Sequence, residues 1–182
     1  MEPEFEFILS YVSKIDVVNP YKTMAGIERK LLKINEEMGE VMEAYLNVTS
    51  KHNQKNKTWD EVLEELIDVS IIVVDVGLSI SSAKIFSEHA WVMNVGITSS
   101  NPYHNLIKSH AKILDAYDNM DGSEHSNIML MWACTKMYKE LLILINDVAI
   151  EQNKVMSILD QKLAKWTANM AIMPTSEIDD EV

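Results

Sequence analysis

A chain of 182 residues is long enough for one domain with a sizeable core, and 47% of its residues are hydrophobic. Five glycines and four prolines supply too few turns for an all-β fold, so the composition favours an all-α protein with long helices. The formal net charge of −12 argues against nucleic acid and anionic membranes as partners, and an anionic substrate would need metal cations to screen it.

The periodicity of apolar residues predicts seven helices in a helical bundle. In chain order they span residues 4–16, 20–48, 59–80, 83–95, 102–119, 126–150 and 152–170. Asn19–Pro20 and Asn101–Pro102 each place an N-cap residue before a proline at the first helical position. Thr58 has the spacing for a capping box with Glu61, which predicts the start of the third helix.

The second predicted helix carries a stripe of carboxylates on a face that should border the core. Its members are Glu36, Glu37, Glu40 and Glu43. Spacings of three and four residues place them on one side of a helix. Met38, Val41 and Met42 flank the stripe closely, so part of it must lie beside apolar packing.

The third predicted helix carries a second stripe of the same kind. Its members are Glu61, Glu64, Glu65 and Asp68. If the two helices pack antiparallel through the polar loop between them, the stripes meet, and like charges repel strongly unless cations occupy the site. Oxygen-only ligands suit hard cations, with Mg²⁺ first and Mn²⁺ second.

A second interpretation of the stripes stays open, because a run of glutamates on a helix is usually a solvated face. In that case the chain is a non-catalytic helical interaction module whose apolar faces bind a partner protein. Other metal and phosphate sites find no support in the sequence. No glutamate has a histidine three residues later, as di-iron bundles require, and there is no glycine-rich phosphate loop.

The second half of the chain repeats features of the first at an offset of 72 residues. EVMEAYLNV at 40–48 aligns with KILDAYDNM at 112–120, and DVSIIVVDVGLSI at 68–80 aligns with ELLILINDVAIEQ at 140–152. We interpret this as a duplicated helical module. In the second copy the first three glutamates of the stripe are replaced, so it cannot hold a divalent cation. The replacements are Lys108, Ser109 and Lys112.

We therefore expect one all-α domain over residues 1–174, followed by an acidic tail at 175–182. Its active half covers about 1–96 and its degenerate half about 97–172. A duplicated module with apolar faces also favours a homodimer or a higher homo-oligomer.

The number of cysteines and the length of the apolar runs indicate the cellular compartment in which the protein is expected. Cys134 is the only cysteine, so no intramolecular disulfide can form and a reducing compartment is expected. The first residues, MEPEFEF, lack the basic character of a signal peptide. The longest apolar run is short and contains Asp75, which argues against a transmembrane span. We expect a cytoplasmic protein with Cys134 in its core.

The two carboxylate stripes resemble the signature of a known superfamily. Glu37-x-x-Glu40, preceded by Glu36 and followed after 24 residues by Glu65-x-x-Asp68, is similar to the EExxE…ExxD motif of all-α nucleoside triphosphate pyrophosphatases. That superfamily includes MazG-like proteins, phosphoribosyl-ATP pyrophosphohydrolases and the dimeric dUTPases and dCTPases. The dimeric dUTPases also contain a duplicated helical module with one degenerate copy. The match covers residues 30–80.

The resemblance implies a MazG-like four-helix core and a Mg²⁺-dependent enzyme, with Mn²⁺ as a substitute. Its reaction would convert a nucleoside or deoxynucleoside triphosphate to the monophosphate and pyrophosphate. The residues that match the family's metal ligands are Glu37, Glu40, Glu65 and Asp68. Glu36 or Glu40 is the candidate base that accepts a proton from water.

The substrate-binding residues implied by the resemblance lie in three places. Many members carry a late lysine that contacts phosphate, and Lys162 and Lys165 are the candidates here. Trp166 stands where the family has a polar residue, so a plain surface role for both lysines stays open. Lys57 in the interhelical loop is a candidate to screen a triphosphate, and Trp59 is a candidate to stack on a base.

Overall fold

The computed structural model describes residues 8–10, 12, 24–51, 55–92, 101–149 and 152–172. Across these residues the chain is helical and contains no strand, so the predicted all-α class is confirmed. The helices in the described chain after residue 12 are α1 (Met24–Thr49), α2 (Trp59–Ile80), α3 (Ala83–Val92), α4 (Pro102–Asp118), α5 (Glu124–Val148) and α6 (Gln152–Ile172). The predicted cap at Asn19–Pro20 and the acidic tail lie outside the described residues.

Side-chain caps fix the starts of α2 and α4 where the sequence predicted them. The Thr58 hydroxyl accepts a hydrogen bond from the Glu61 N–H at 3.3 Å, and the Glu61 carboxylate accepts one from the Thr58 N–H at 2.8 Å. The Asn101 side chain accepts from the Tyr103 N–H at 2.9 Å, one residue beyond Pro102. These bonds satisfy backbone donors that have no partner inside the helix.

Helix α5 begins at Glu124, two residues earlier than the prediction. Ser123 is its N-cap, because the Ser123 hydroxyl accepts a hydrogen bond from the Ser126 N–H at 3.2 Å. The Asp121 carboxylate in turn accepts from the Ser123 N–H at 2.9 Å. Apolar periodicity starts only later in the sequence, so it could not reveal a first turn made of polar residues.

Helices α1 and α2 form an antiparallel hairpin, held at both ends by contacts between distant residues. At one end the rings of Tyr45 and Trp59 lie 6.4 Å apart. At the other end the Lys30 ammonium contacts the buried Asp75 carboxylate at 2.9 Å and donates to the Ser79 hydroxyl at 2.7 Å. Asp75 therefore has a structural role. Its ion pair with Lys30 explains why a charged residue occurs within the apolar run of α2.

Helix α2 occupies the centre of the bundle and packs against α1 on one side and α5 on the other. Its buried positions extend along most of its length, which explains why its apolar run lacks a polar side. Helix α4 packs against α5, so the bundle contains two hairpins joined through their second helices. This arrangement is compatible with the predicted duplication, which stays a prediction. Within the described chain, no helix is both long enough and apolar enough to cross a membrane.

The short helix α3 packs onto α2 at a glycine. A Cβ atom added at Gly77 would lie only 2.2 Å from the ring of Phe86, so no larger residue fits without displacing that ring. Phe86 is fully buried and its ring centroid lies 6.1 Å from that of Tyr138 on α5. Cys134 on the same helix is fully buried, as expected from the sequence.

Candidate metal centre

The antiparallel packing of α1 and α2 brings three of the four predicted metal ligands together. Oxygen atoms of Glu37 on α1 and of Glu65 and Asp68 on α2 all lie within 4.8 Å of one another. Glu37 is only 7% exposed, while the other two residues are partly buried. We call these three residues the carboxylate cluster. The two stripes therefore meet, as the interhelical loop predicted.

Without a bound metal cation, the charged form of Glu65 in the carboxylate cluster is unfavourable. Burial, followed by repulsion from Glu40, Asp68 and Glu37, raises the pKa of Glu65 to about 7, although Lys162 acts in the opposite direction. A carboxyl group with such a pKa binds a proton near neutrality, because burial and the neighbouring carboxylates disfavour its charged form. Oxygen-only donors that repel one another in this way fit a hard divalent cation such as Mg²⁺ or Mn²⁺.

The two candidate bases occupy different environments. Glu40 is exposed, lies outside the carboxylate cluster, and is near enough to Glu65 to raise the pKa of that residue. The Glu36 side chain is 59% exposed, and its carboxylate pairs with the Lys33 ammonium at 2.9 Å. Of the two candidate bases, Glu40 therefore has the position that is better suited to proton transfer beside the cluster.

Lys33 is a cation of this site that the sequence interpretation missed. Its ammonium group contacts the Glu37 carboxylate at 2.8 Å as well as that of Glu36. Burial opposes the charge on Lys33, but hydrogen bonds to Glu37 and Glu36 raise its pKa. The signal was present in the sequence, since Lys33 precedes these glutamates by three and four residues.

Lys162 reaches the carboxylate cluster from α6 and donates a hydrogen bond to Asp68. Burial raises the pKa of Asp68, while Lys162 and, more weakly, Lys165 pull it down and Glu37 raises it further. A second ion pair joins Lys154 on α6 to Asp60 on α2, eight residues before the first pair on both helices. Equal spacing on both helices shows that α6 runs parallel to α2, which brings its lysines along the acidic stripe.

Lys57 lies at the end of the cluster nearest the interhelical loop. Its ammonium contacts the Glu61 carboxylate at 3.0 Å. The hydrogen bond to Glu61 raises the pKa of Lys57 against the opposing effect of burial, and the charges of Glu65 and Glu43 add to the rise. Lys57 is therefore near enough to the cluster to interact electrostatically with Glu65. Lys165 is exposed.

Trp59 does not join the carboxylate cluster. It is 44% exposed and lines a separate cavity of about 330 Å³. The other residues of that cavity are Pro102, Tyr103, Leu144, Asp147 and Val148. The rings of Tyr45 and Tyr103 stack at 3.7 Å beside it. A role for Trp59 in base stacking stays a prediction, since its cavity shares no residue with the cluster.

The corresponding place in the second hairpin holds a different set of groups. In the predicted repeat Ser109 and Glu140 replace Glu37 and Asp68, and both are buried. Burial raises the pKa of Glu140, while Ser109 and the charges of Lys136 and Lys112 lower it. Ser109 lies beside the carboxylate without a well-aligned hydrogen bond to it. This place therefore holds one carboxylate with two lysines, whereas the carboxylate cluster holds three carboxylates.

Comparison with known proteins finds no family model, no curated protein and no solved structure that matches this chain. What the carboxylate cluster does must therefore be inferred from its own chemistry.

Proposed function

We propose that the protein is a Mg²⁺-dependent nucleoside triphosphate pyrophosphohydrolase, which converts a nucleoside or deoxynucleoside triphosphate to its monophosphate and pyrophosphate. The observation that carries the proposal is the approach of the Glu37, Glu65 and Asp68 oxygens within 4.8 Å of one another. Like charges at this separation are costly at low effective dielectric, and a divalent cation offsets that cost. The spacing of the same residues resembles the superfamily signature.

The carboxylate cluster would hold the metal, with Glu40 as an additional ligand or as the base. Bound Mg²⁺ supplies positive charge and Lewis-acid polarisation at the phosphate oxygens, the main requirements of phosphoryl transfer. The chain itself adds cations on both sides. Lys162 lies on the α6 side and Lys57 lies toward the interhelical loop, so a triphosphate between them would meet positive charge along its length.

Hydrolysis requires a base for the attacking water, and we assign that role to Glu40. The water oxygen forms a bond to the α-phosphorus, the bond from that phosphorus to the α–β bridging oxygen breaks, and pyrophosphate departs with the electron pair. The proton of the water passes to the Glu40 carboxylate. Glu40 is suited to this role because it is exposed to solvent and lies beside Glu65.

The proposal includes a cytoplasmic location and a homo-oligomeric state, both of which the sequence predicts. Apolar side chains on the outside of α1 support the second point. Leu32 is 63% exposed and Leu46 is 64% exposed. Contact with another copy of the chain would remove these surfaces from water.

Thermal unfolding with and without metal tests whether the cluster holds a cation. Millimolar Mg²⁺ or Mn²⁺ should raise the melting temperature of the parent, because a ligand that binds only the folded state stabilises it. Glu37→Gln should abolish most of that rise. Glu28→Gln, an exposed position on the same helix, should keep it. An unchanged melting temperature in all three proteins would favour the non-catalytic interaction module instead.

A further inference from the structure

The cavity that Trp59 lines lies where three helices meet. Its volume is about 330 Å³, and its walls come from the first residues of α2 and α4 and from the last turns of α5. Trp59 and Tyr103 supply aromatic surface, and Leu144 and Val148 supply aliphatic surface. Among the described residues that line the cavity, Asp147 is the only charged one. The volume lies within the range of about 300–1,000 Å³ that small-molecule sites occupy.

Asp147 has no cation beside it in the part of the chain that the structure describes. Its side chain is exposed at the cavity and makes no ion pair there. The last turn of α5 contains no basic residue, so the partial negative charge of that helix end is not offset either. Burial, then Tyr45, then the charge of Asp147 raise the pKa of Tyr103, so the carboxylate acts on the aromatic wall. The cavity therefore favours a positively charged ligand.

The two helix starts beside the cavity do not provide free backbone donors for an anion. At the start of α4, Pro102 has no N–H, and the Asn101 side chain accepts a hydrogen bond from the next one. At the start of α2, Thr58 caps the helix, and Asp60 and Glu61 already place two carboxylates in the first turn. A phosphate would therefore meet negative charge on this side of the molecule.

The first hairpin shows which group pairs with an acid at this position. At the offset of 72 residues, Pro102 and Asp147 stand where Lys30 and Asp75 stand in the first hairpin. There the Lys30 ammonium contacts the Asp75 carboxylate at 2.9 Å. In the second hairpin Pro102 and Asp147 line the same cavity, so the acid is kept and the lysine is missing. The comparison needs only these matching positions and holds without a duplication.

We propose that this cavity binds a small primary alkylammonium ion, which takes the place that a lysine side chain fills in the first hairpin. The ammonium group would donate hydrogen bonds to the Asp147 carboxylate. The alkyl chain would pack against Trp59, whose indole ring also attracts cations. The proposal gives Trp59 a role other than base stacking. It does not depend on the function assigned to the carboxylate cluster, since the two sites have no residue in common.

Nuclear magnetic resonance of the full chain with n-butylammonium chloride tests the proposal. This probe reproduces the four-carbon side chain and the charge of lysine. The chain contains four tryptophans, and the spectrum of Trp59→Leu identifies the indole N–H signal of Trp59. That signal should shift and saturate in the millimolar range, which is typical of so small a ligand. The indole signal of Trp132, which lines a different cavity, should not move.

Two controls separate binding of the ammonium group from other effects. n-Butanol has the same alkyl chain without the charge, and sodium chloride supplies the same ionic strength. Neither should produce a saturable shift of the Trp59 signal. The titrations contain EDTA and no nucleotide, so their result is independent of the proposed enzymatic activity.

Single substitutions locate the ammonium group. Asp147→Asn should weaken n-butylammonium binding by about tenfold, the usual effect of losing a charge-assisted hydrogen bond. Asp118→Asn is the matched control, because Asp118 is exposed at the other end of α4 and does not line the cavity. Pro102→Lys should abolish binding, since its own ammonium group would occupy the place beside Asp147. Pro102→Ala should retain binding.

Thermal unfolding tests the missing cation without any ligand. Pro102→Lys should melt at a higher temperature than Pro102→Met, which has a long side chain without a charge. The difference between these two proteins should shrink when each also carries Asp147→Asn, because the new ammonium group then has no carboxylate to pair with.

Three results would overturn this second site. The first is the absence of a saturable shift of the Trp59 signal in a parent protein that melts cooperatively. The second is an equal shift with n-butanol, which would mean that the cavity does not recognise the charge. The third is equal weakening by Asp147→Asn and Asp118→Asn, which would mean that the probe responds to the general charge of the protein. If Asp147→Asn does not fold, Pro102→Lys and Pro102→Ala decide the outcome.

Discussion

The ammonium group of Lys162 on α6 donates a hydrogen bond to the carboxylate of Asp68 on α2. One ligand of the candidate metal centre is therefore engaged by a cation of the chain itself. A divalent cation that binds Asp68 must compete with this lysine, and the displaced ammonium lies beside the place where a phosphate would enter. In the proposed enzyme, Lys162 would therefore weaken metal binding and strengthen substrate binding.

Replacing Lys162 separates these two effects. Lys162→Met should tighten Mn²⁺ binding measured by calorimetry, because the metal no longer competes with the ammonium group for Asp68. The same variant should lower kcat/KM, because the phosphate loses a cation. Lys108→Met is the control, since Lys108 is exposed on α4 and is not a candidate site residue. Weaker Mn²⁺ binding in Lys162→Met would show that the lysine organises the site rather than competing for it.

Glu40→Gln tests the assignment of the base. The turnover number should fall by about 100- to 10,000-fold, the usual contribution of general base catalysis. Stability in chelator should be unchanged or higher, because Glu40 repels Glu65 in the empty cluster. Glu36→Gln should have a much smaller effect on turnover, since Glu36 faces Lys33. If Glu36→Gln lowers turnover more than Glu40→Gln does, Glu36 is the base instead.

The pH dependence of stability without metal follows from Glu65. Its pKa in the folded protein is about 7, against 4.5 for an ordinary glutamate, so the folded state binds a proton that the unfolded state releases. This contribution to stability is complete below the lower value and is lost as the pH rises through the higher one. In EDTA the melting temperature should therefore fall between about pH 5 and about pH 8.

The variant Glu65→Gln isolates this contribution from the other titrating groups. Its melting temperature in EDTA should fall less steeply over the same pH range than that of the parent. If the melting temperatures of the two proteins fall equally with pH, Glu65 in the carboxylate cluster does not have a raised pKa.

The prediction of the helices succeeded where the signal is local. Helix α2 begins and ends at the predicted residues because Thr58 and Glu61 cap it and its apolar run ends at Ile80. Helix α5 differed at its start because its first turn is polar and its cap, Ser123, carries no apolar signal. The packing of α3 through Gly77 was not predicted, because a single glycine does not reveal which ring approaches it.

For the site as well, the sequence could predict only those contacts that follow from local helical spacing. Helical spacing was enough to bring Glu37 toward Glu65 and Asp68 once the loop made the two helices antiparallel. It could not establish the contact of Lys162 with Asp68, which depends on how α6 folds back along α2. It also could not separate Trp59 from the cluster, because the rotation of α2 about its axis depends on the whole core.

The close approach of α3 to α2 can be tested with two glycines. Gly77→Ala should lower the free energy of unfolding by about 1–3 kcal/mol, because the added methyl group displaces the Phe86 ring. Gly39→Ala should raise it by up to about 1 kcal/mol, since nothing lies within 4 Å of the added atom and alanine favours a helix. Denaturant unfolding measures both values. A stable Gly77→Ala would mean that Phe86 can move aside at little cost.

The most direct test of the proposed function is turnover of a panel of ribo- and deoxynucleoside triphosphates with Mg²⁺, with pyrophosphate and monophosphate both quantified. We predict that at least one substrate releases the two products in equal amounts. Activity should disappear in EDTA and in Asp68→Asn, and it should persist in Glu28→Gln. Release of inorganic phosphate instead of pyrophosphate would contradict the reaction that we propose. No turnover of any triphosphate by a folded, Mg²⁺-loaded protein would contradict the enzyme itself.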